Sequence, residues 1–195
     1  VLSQNYPNFE VIFVDDHSTD ESLLVLGALQ KVYSNLVIVA HQPASTIQGK
    51  KSALTRGIDL AQHDIILLTD ADCYPQSDSW IRSMTRPFHT SGIQIVIGYS
   101  PYEDRASLLN RFIRFETAYT AISYLGFAKM GRPYMGVGRN LCYRKSIFLD
   151  NDGFKRHAHV AAGDDDLFVN EVADSKNTTM VVSKEAWVCS VPKVT

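Results

Sequence analysis

Asp64-Ile65-Ile66-Leu67-Leu68-Thr69-Asp70-Ala71-Asp72 is the stretch on which the fold turns. Its aliphatic run predicts a strand over Asp64–Thr69 buried on both faces. The strand runs straight into two carboxylates one residue apart. In extended backbone, residues i and i+2 point the same way, so Asp70 and Asp72 can converge on one cation. Hard oxygen ligands suit Mg²⁺ or Mn²⁺, ions that also bridge substrate phosphates. The competing reading is a solvated turn, although like charges side by side repel.

Four more apolar runs predict strands: Glu10–Val14, Leu36–Ala40, Gln94–Tyr99 and Thr179–Ser183. Helical spacing is found over Glu21–Val32, Lys51–Ala61, Trp80–Phe88, Ser107–Leu125 and Asp165–Ala173. Strands alternating with helices predict an α/β fold with a mostly parallel sheet flanked by helices. Phe112, Phe115 and Tyr119 fall at i, i+3 and i+7, which predicts core packing, with a sugar-stacking platform as the second reading. Gly126–Asn140 is glycine-rich and broken by Pro133, and no element is assigned there.

Composition narrows the function. Lys+Arg 19 against Asp+Glu 21 gives a net charge of −2, without the basic excess of a nucleic-acid binder. Cys73, Cys142 and Cys189 show no C-x-x-C spacing, which argues against a disulfide framework or zinc site and for a reducing compartment. Cys142 reads as a small buried hydrophobe. No run approaches the ~18 apolar residues of a membrane span. The chain opens Val-Leu-Ser-Gln with no initial Met, and we expect a piece of a longer protein.

Two further carboxylate clusters stand at element ends. Asp15-Asp16-His17-Ser18-Thr19-Asp20 follows the first strand, and ligands of parallel sheets bind beyond strand carboxyl ends. An Asp there can accept from ribose hydroxyls or a base N–H; equally, Ser18 or Asp20 can cap the next helix. His17 reads as a solvated loop residue. Gly163-Asp164-Asp165-Asp166-Leu167 enters an apolar helix. Negative charge suits a helix N-terminus, while one Asp beside an acceptor hydroxyl can act as general base. Gln48-Gly49-Lys50-Lys51 at a helix start suits an anion but lacks Walker spacing; a solvated helix end is the alternative. His157 and His159 lack a third ligand nearby, so a metal pair is weakly supported.

Taken together, these segments resemble a family-two glycosyltransferase. Tyr6-Pro7-Asn8-Phe9-Glu10 through Asp20 is similar to that family's opening. Gly49-Lys50-Lys51-Ser52-Ala53-Leu54-Thr55-Arg56-Gly57 resembles its G-K-x-x-A-L-N-x-G segment, with Thr55 in place of the usual Asn. Asp70-Ala71-Asp72 is similar to its D-x-D motif, and Gly136 through Arg144 to its acceptor-side G-x-x-x-N-x-x-Y-R segment.

The resemblance implies a single GT-A domain over 1–195, Rossmann-like, with a nucleotide-sugar half (1–100) and an acceptor half (101–195). It implies inverting transfer of a sugar from a nucleotide-sugar, UDP-linked in most members, to an acceptor hydroxyl of a sugar, lipid or polysaccharide. Asp15, Asp16, Lys50 and Asp70 would bind nucleotide. Asp72 and Asp70 would hold Mg²⁺ or Mn²⁺, and Asp164 or Asp165 would be the base. Arg139, Asn140 and Asp166 would face the acceptor. The resemblance also implies a first strand before Val1 and a Q-x-x-R-W segment after Thr195, hence truncation at both ends. It implies a parent at the cytoplasmic side of a membrane, attached through segments outside this soluble piece. The alternatives are a nucleotidyltransferase, which also pairs aspartates with Mg²⁺, and a non-catalytic nucleotide-sugar-binding fragment.

Overall fold

The computed structural model describes residues 1–41, 49–160 and 163–192, so Gln48 lies outside the described residues. The elements are β1 (Val11–Asp15), α1 (Ser22–Gln30), β2 (Leu36–Ala40), α2 (Lys50–Leu60), β3 (Ile65–Leu68), β4 (Cys73–Pro75) and α3 (Trp80–Thr85). There follow β5 (Ile95–Gly98), α4 (Leu108–Lys129), β6 (Leu141–Arg144), α5 (Lys145–Asp150), α6 (Asp164–Val172), β7 (Thr178–Val181) and β8 (Val188–Ser190). The expected elements all form within a few residues of their predicted bounds. Pro87 turns the end of the expected third helix into a 3₁₀ turn over Arg86–His89, since it cannot donate the helical hydrogen bond. β4, β6 and β8 were not expected, because strands of three or four residues carry too little periodicity to read.

The sheet is mixed, which corrects the expectation of a mostly parallel one. β1 and β2 pair in parallel, and a four-stranded sheet runs in the order β3-β6-β5-β7. β5–β7 is parallel, but β6 lies antiparallel to both β3 and β5. β4 and β8 form a separate antiparallel pair. The cause is the connection from β5 to β6. After α4 the chain turns at Gly131 (φ 76°) and returns through an irregular segment, 132–137. It thus enters β6 from the end opposite to that reached by a plain helical crossover. Because β6 sits between β3 and β5, residues from both sides of position 100 share one sheet.

Side-chain alternation along the central strands sorts the core into two layers. Ile95, Ile97, Leu141 and Tyr143 face one side, where Ile58, Tyr124, Phe148, Phe154 and Phe168 cover them. Val96 and Cys142 face the other, under Trp80, Met84, Phe88 and Val188. Phe168 and Val169 are fully buried, and Phe168 packs 5.2 Å from the Tyr143 ring. These contacts fix α6 on the sheet and thereby place its acidic first turn. No helix among the described residues is long and apolar enough to cross a membrane.

Phe112, Phe115 and Tyr119 do not enter the core. They are 64%, 68% and 65% exposed, because α4 buries its opposite face through Asn110, Ala121, Tyr124 and Ala128. Helical spacing does put the three on one face, but that face is turned to water and not to the sheet.

Candidate active site

The first carboxylate cluster lies at the carboxyl ends of the parallel pair β1–β2. Asp15, the last residue of β1, is buried, and its Oδ1 accepts from the Ser18 N–H at 3.3 Å. Its carbonyl accepts from the His41 N–H at 2.7 Å, tying the two strand ends together. Asp16 is half exposed and free to meet a ligand, with His17 Nδ1 at 3.4 Å and His41 Nε2 at 3.8 Å. Neither Ser18 nor Asp20 is the N-cap of α1, which is Glu21; Asp20, one residue earlier, accepts from Ser22 N–H through Oδ1 at 3.0 Å. His17 is solvated, 65% exposed in its side chain. His41 was not anticipated. The available signal was its position directly after β2, matching that of Asp16 after β1 in the register Asp15↔Ala40.

The two lysines of α2 divide their work. Gly49, at φ 63° where a Cβ would be strained, precedes the helix. Lys51 is buried, and its Nζ donates to the carbonyls of His157 (3.1 Å) and Val160 (2.6 Å), holding the chain that leads to α6. Lys50 Nζ donates to Asp70 Oδ1 at 2.8 Å. Burial pulls the Lys50 pKa down, but the Asp70 hydrogen bond and the charges of Asp165, Asp70 and Asp164 outweigh it and raise the value overall.

Asp70 and Asp72 lie near one another, but in a turn and not in extended backbone: β3 ends at Leu68, and the Cys73 N–H donates to the Asp70 carbonyl at 3.1 Å. One ligand atom each from Asp70, Asp72 and Cys73 lie within 4.8 Å of one another. The two carboxylates fit a hard divalent cation and leave most of its coordination to other oxygens. Cys73 fits poorly: burial is the main reason its thiol is raised to about 11, so it stays protonated and soft. A cation here would share Asp70 with Lys50. His157 does not join a metal group; its Nε2 lies 3.1 Å from Glu171 Oε2, and Arg156 pairs with the same carboxylate.

The third cluster forms the first turn of α6 and lines a cavity of about 610 Å³. Lys50 and Asp70 line the same cavity, as do Tyr102, Glu116, Thr120 and Arg139. Asp70 of the second cluster and the whole third cluster, far apart in the chain, are thus brought to one space, while Asp72 is not among the lining residues. Asp165 is the unusual member. Its carboxylate lies against Gly138, where a Cβ would sit 1.7 Å from Oδ2, and its Oδ1 is buried without a hydrogen-bond partner among the described residues. Burial raises its pKa to about 7, with Asp164, Asp70 and Asp166 pushing it up further and Lys50 pulling it down. The Asp166 pKa is raised too, by burial and then by Asp164.

The expected acceptor-side residues separate. Arg139 lines the cavity, its guanidinium 4.7 Å from the Tyr102 ring centroid and its Nε buried without a hydrogen-bond partner. Asp166 also lines it. Asn140 does not, a correction to the expectation. It is fully buried, donating from Nδ2 to the carbonyls of Tyr99 (2.7 Å) and Ala186 (2.8 Å) and accepting from Trp80 Nε1 at 3.0 Å. Its polar groups are spent inside the fold. The contribution of α4 (Glu116, Thr117, Thr120, Tyr124) carried no sequence signal, since scattered hydroxyls on a long helix form no motif.

Comparison with known proteins gives the family and the fold. Residues 1–151 match the family described as Glycosyl transferase family 2. A β-monoglucosyldiacylglycerol synthase of Nostoc sp. is 39% identical over 75 residues, 37% of this chain and 16% of that protein. The fold is similar to that of the mannosyltransferase PcManGT from Pyrobaculum calidifontis, solved with GDP-Man and Mn²⁺ (TM-score 0.72, 17% identity, 98% of this chain and 51% of that chain). It is also similar to that of S. aureus TarS 1-349, solved with UDP-GlcNAc (TM-score 0.65, 18% identity, 100% of this chain and 53% of that chain). The chain therefore spans about half the length of these solved relatives. With the GT-A fold, the D-x-D turn and the family match over most of its length, the chain belongs to glycosyltransferase family 2.

Proposed function

We propose that the protein moves a sugar from a UDP-sugar to an acceptor hydroxyl with inversion, assisted by a divalent cation. The observation that carries this reading is Asp165: a carboxylate with its Oδ1 buried and its pKa raised to about 7, lining one cavity with the Lys50–Asp70 pair. In this reading, Asp16 and Asp15 hold the uridine at the ends of β1 and β2. Lys50 stands beside the diphosphate. Asp72 and Asp70 hold Mg²⁺ or Mn²⁺, which when bound supplies Lewis-acid neutralisation of the leaving diphosphate. The acceptor enters between α4 and the Gly136–Arg139 segment, near Arg139 and Asp166. Asp165 takes the proton of the attacking hydroxyl as the new bond forms at the anomeric carbon and the bond to the diphosphate breaks on the opposite face. Asp164 is the alternative base one residue away. A base near neutrality combines a useful ionised fraction with driving force for proton transfer.

Residues 1–100 thus supply the donor side and residues 101–195 the acceptor side. A lipid or polysaccharide acceptor, and a parent held at the cytoplasmic face of a membrane, are the wider setting we propose, in line with the diacylglycerol-linked name of one relative. The test is calorimetry with UDP and with GDP, each with and without Mn²⁺, followed by a turnover assay for nucleotide release from UDP-sugars. Metal-dependent UDP binding with slow release, abolished by Asp165→Asn, supports the reading. Preference for GDP, or turnover indifferent to both Asp164→Asn and Asp165→Asn, refutes the donor or the base assignment respectively.

A further inference from the structure

The outward face of α4 carries an apolar stripe along its length. Leu108, Phe112, Phe115, Tyr119, Ile122 and Met130 are 82%, 64%, 68%, 65%, 73% and 68% exposed. At 3.6 residues per turn they lie on one stripe running the helix's length of about 33 Å. Together they span an arc of about 80°; Glu116 and Ser123 separate it from Leu109 and Phe127, also exposed, on the far side. Soluble domains seldom leave so long a contiguous apolar face open to water. At one edge it continues into an apolar groove of about 230 Å³ between α4 and the end of β7, walled by Tyr99, Ile122, Leu125, Val182 and Trp187.

Charge indicates what covers this face. Arg111 and Lys129 are exposed along the same edge of the stripe, five turns apart, and neither has an ion-pair partner among the described residues. α4 carries Arg111, Arg114 and Lys129 against Glu116 alone, in a chain whose net charge is −2. Two copies packed face to face would gather like charges, Arg111 and Lys129 on one edge and Glu116 on the other. An anionic lipid surface satisfies both features, taking the aromatic and aliphatic side chains at its interface and the cations at its headgroups.

We propose that α4 is a monotopic docking surface that lies along an anionic bilayer, with the groove beside Ile122 receiving apolar lipid chain. The opposite edge of the same helix lines the 610 Å³ cavity through Glu116, Thr117 and Thr120, so docking would set the mouth of the cavity at the lipid surface. The surface stands independently of the proposed sugar transfer.

The test is co-sedimentation of the chain with vesicles of phosphatidylglycerol and phosphatidylcholine in equal parts, and with phosphatidylcholine alone. Two variant pairs avoid every cavity residue: Phe115→Ser with Ile122→Ser, and Arg111→Glu with Lys129→Glu, each checked for unchanged helical circular dichroism. The expected result is binding to the anionic vesicles that falls at least about tenfold in the apolar pair. The charge-reversal pair and added salt should weaken it, and phosphatidylcholine alone should bind less. No vesicle binding, or binding indifferent to both pairs, overturns the proposal. So does a dimer in light scattering that the apolar pair abolishes and vesicles do not disperse; that outcome assigns the face to a second copy.

Discussion

Gly138 and Asp165 are in direct contact: a methyl group on Gly138 would lie 1.7 Å from the Asp165 carboxylate oxygen. Close approach of a carboxylate to backbone is what the missing Cβ permits here, and it holds the acid in its buried position. Gly138→Ala should therefore displace Asp165 and lower turnover by about 10²–10⁴-fold, the range for loss of a general base. UDP affinity should stay within twofold or so, because the donor side is untouched. Parallel turnover and calorimetric measurements separate the two effects, and normal turnover in Gly138→Ala would remove Asp165 from the mechanism.

Asp165 also makes a pH signature. Its pKa is raised from 3.8 to about 7 in the folded protein, so the folded state holds this proton more tightly than the unfolded chain. The stability associated with it is full below about pH 4 and is lost as pH rises through about 7. Turnover should run the other way, rising with pH to a plateau above about 7, since the base must be ionised. Asp165→Asn should be more stable than the parent at about pH 8 and show no such gain at about pH 4. Urea unfolding at the two pH values reads this directly; a gain confined to low pH would reverse the assigned sign.

The cation site predicts competition. Asp70 Oδ1 is already engaged by Lys50 at 2.8 Å. Mn²⁺ alone should bind more tightly to Lys50→Met than to the parent, followed by the paramagnetic signal of free Mn²⁺. Asp72→Ala should abolish the rise in UDP affinity that Mn²⁺ brings. Equal UDP affinity with and without metal in the parent would sink the assignment of Asp70 and Asp72.

At the other end of the site, Asp16 and Asp15 should differ. Asp16→Ala should weaken UDP binding by about 1.5–3 kcal/mol, as for a hydrogen bond to a charged group, with little change in stability. Asp15→Ala should also lower stability, because its buried carboxylate satisfies the Ser18 N–H. Calorimetry and thermal melting on the same samples distinguish the two.

Asn140 should behave as a structural residue. Asn140→Ala strands Trp80 Nε1 and the carbonyls of Tyr99 and Ala186. Each buried unpaired group costs about 1–3 kcal/mol, so unfolding free energy should fall by about 3 kcal/mol or more. A loss below about 1 kcal/mol in urea titration, with turnover abolished, would return Asn140 to the acceptor side.

The sequence by itself determined the α/β alternation and the longer strands and helices. These depend on side-chain periodicity and on the two-residue repeat of extended backbone, both of which act over a few neighbouring positions. It also placed the aspartates of 164–166 at a helix start. Only the tertiary structure decided how they divide: Asp164 is buried, and Asp165 is set against Gly138, a residue from another element, with its Oδ1 buried. It decided that β6 enters the sheet antiparallel, since pairing direction follows the path of the whole connection. It spent Asn140 inside the core and left Phe112, Phe115 and Tyr119 outside it. A helical period shows that residues share a face, but which face meets the sheet is settled by the neighbours that α4 finds when the chain has folded.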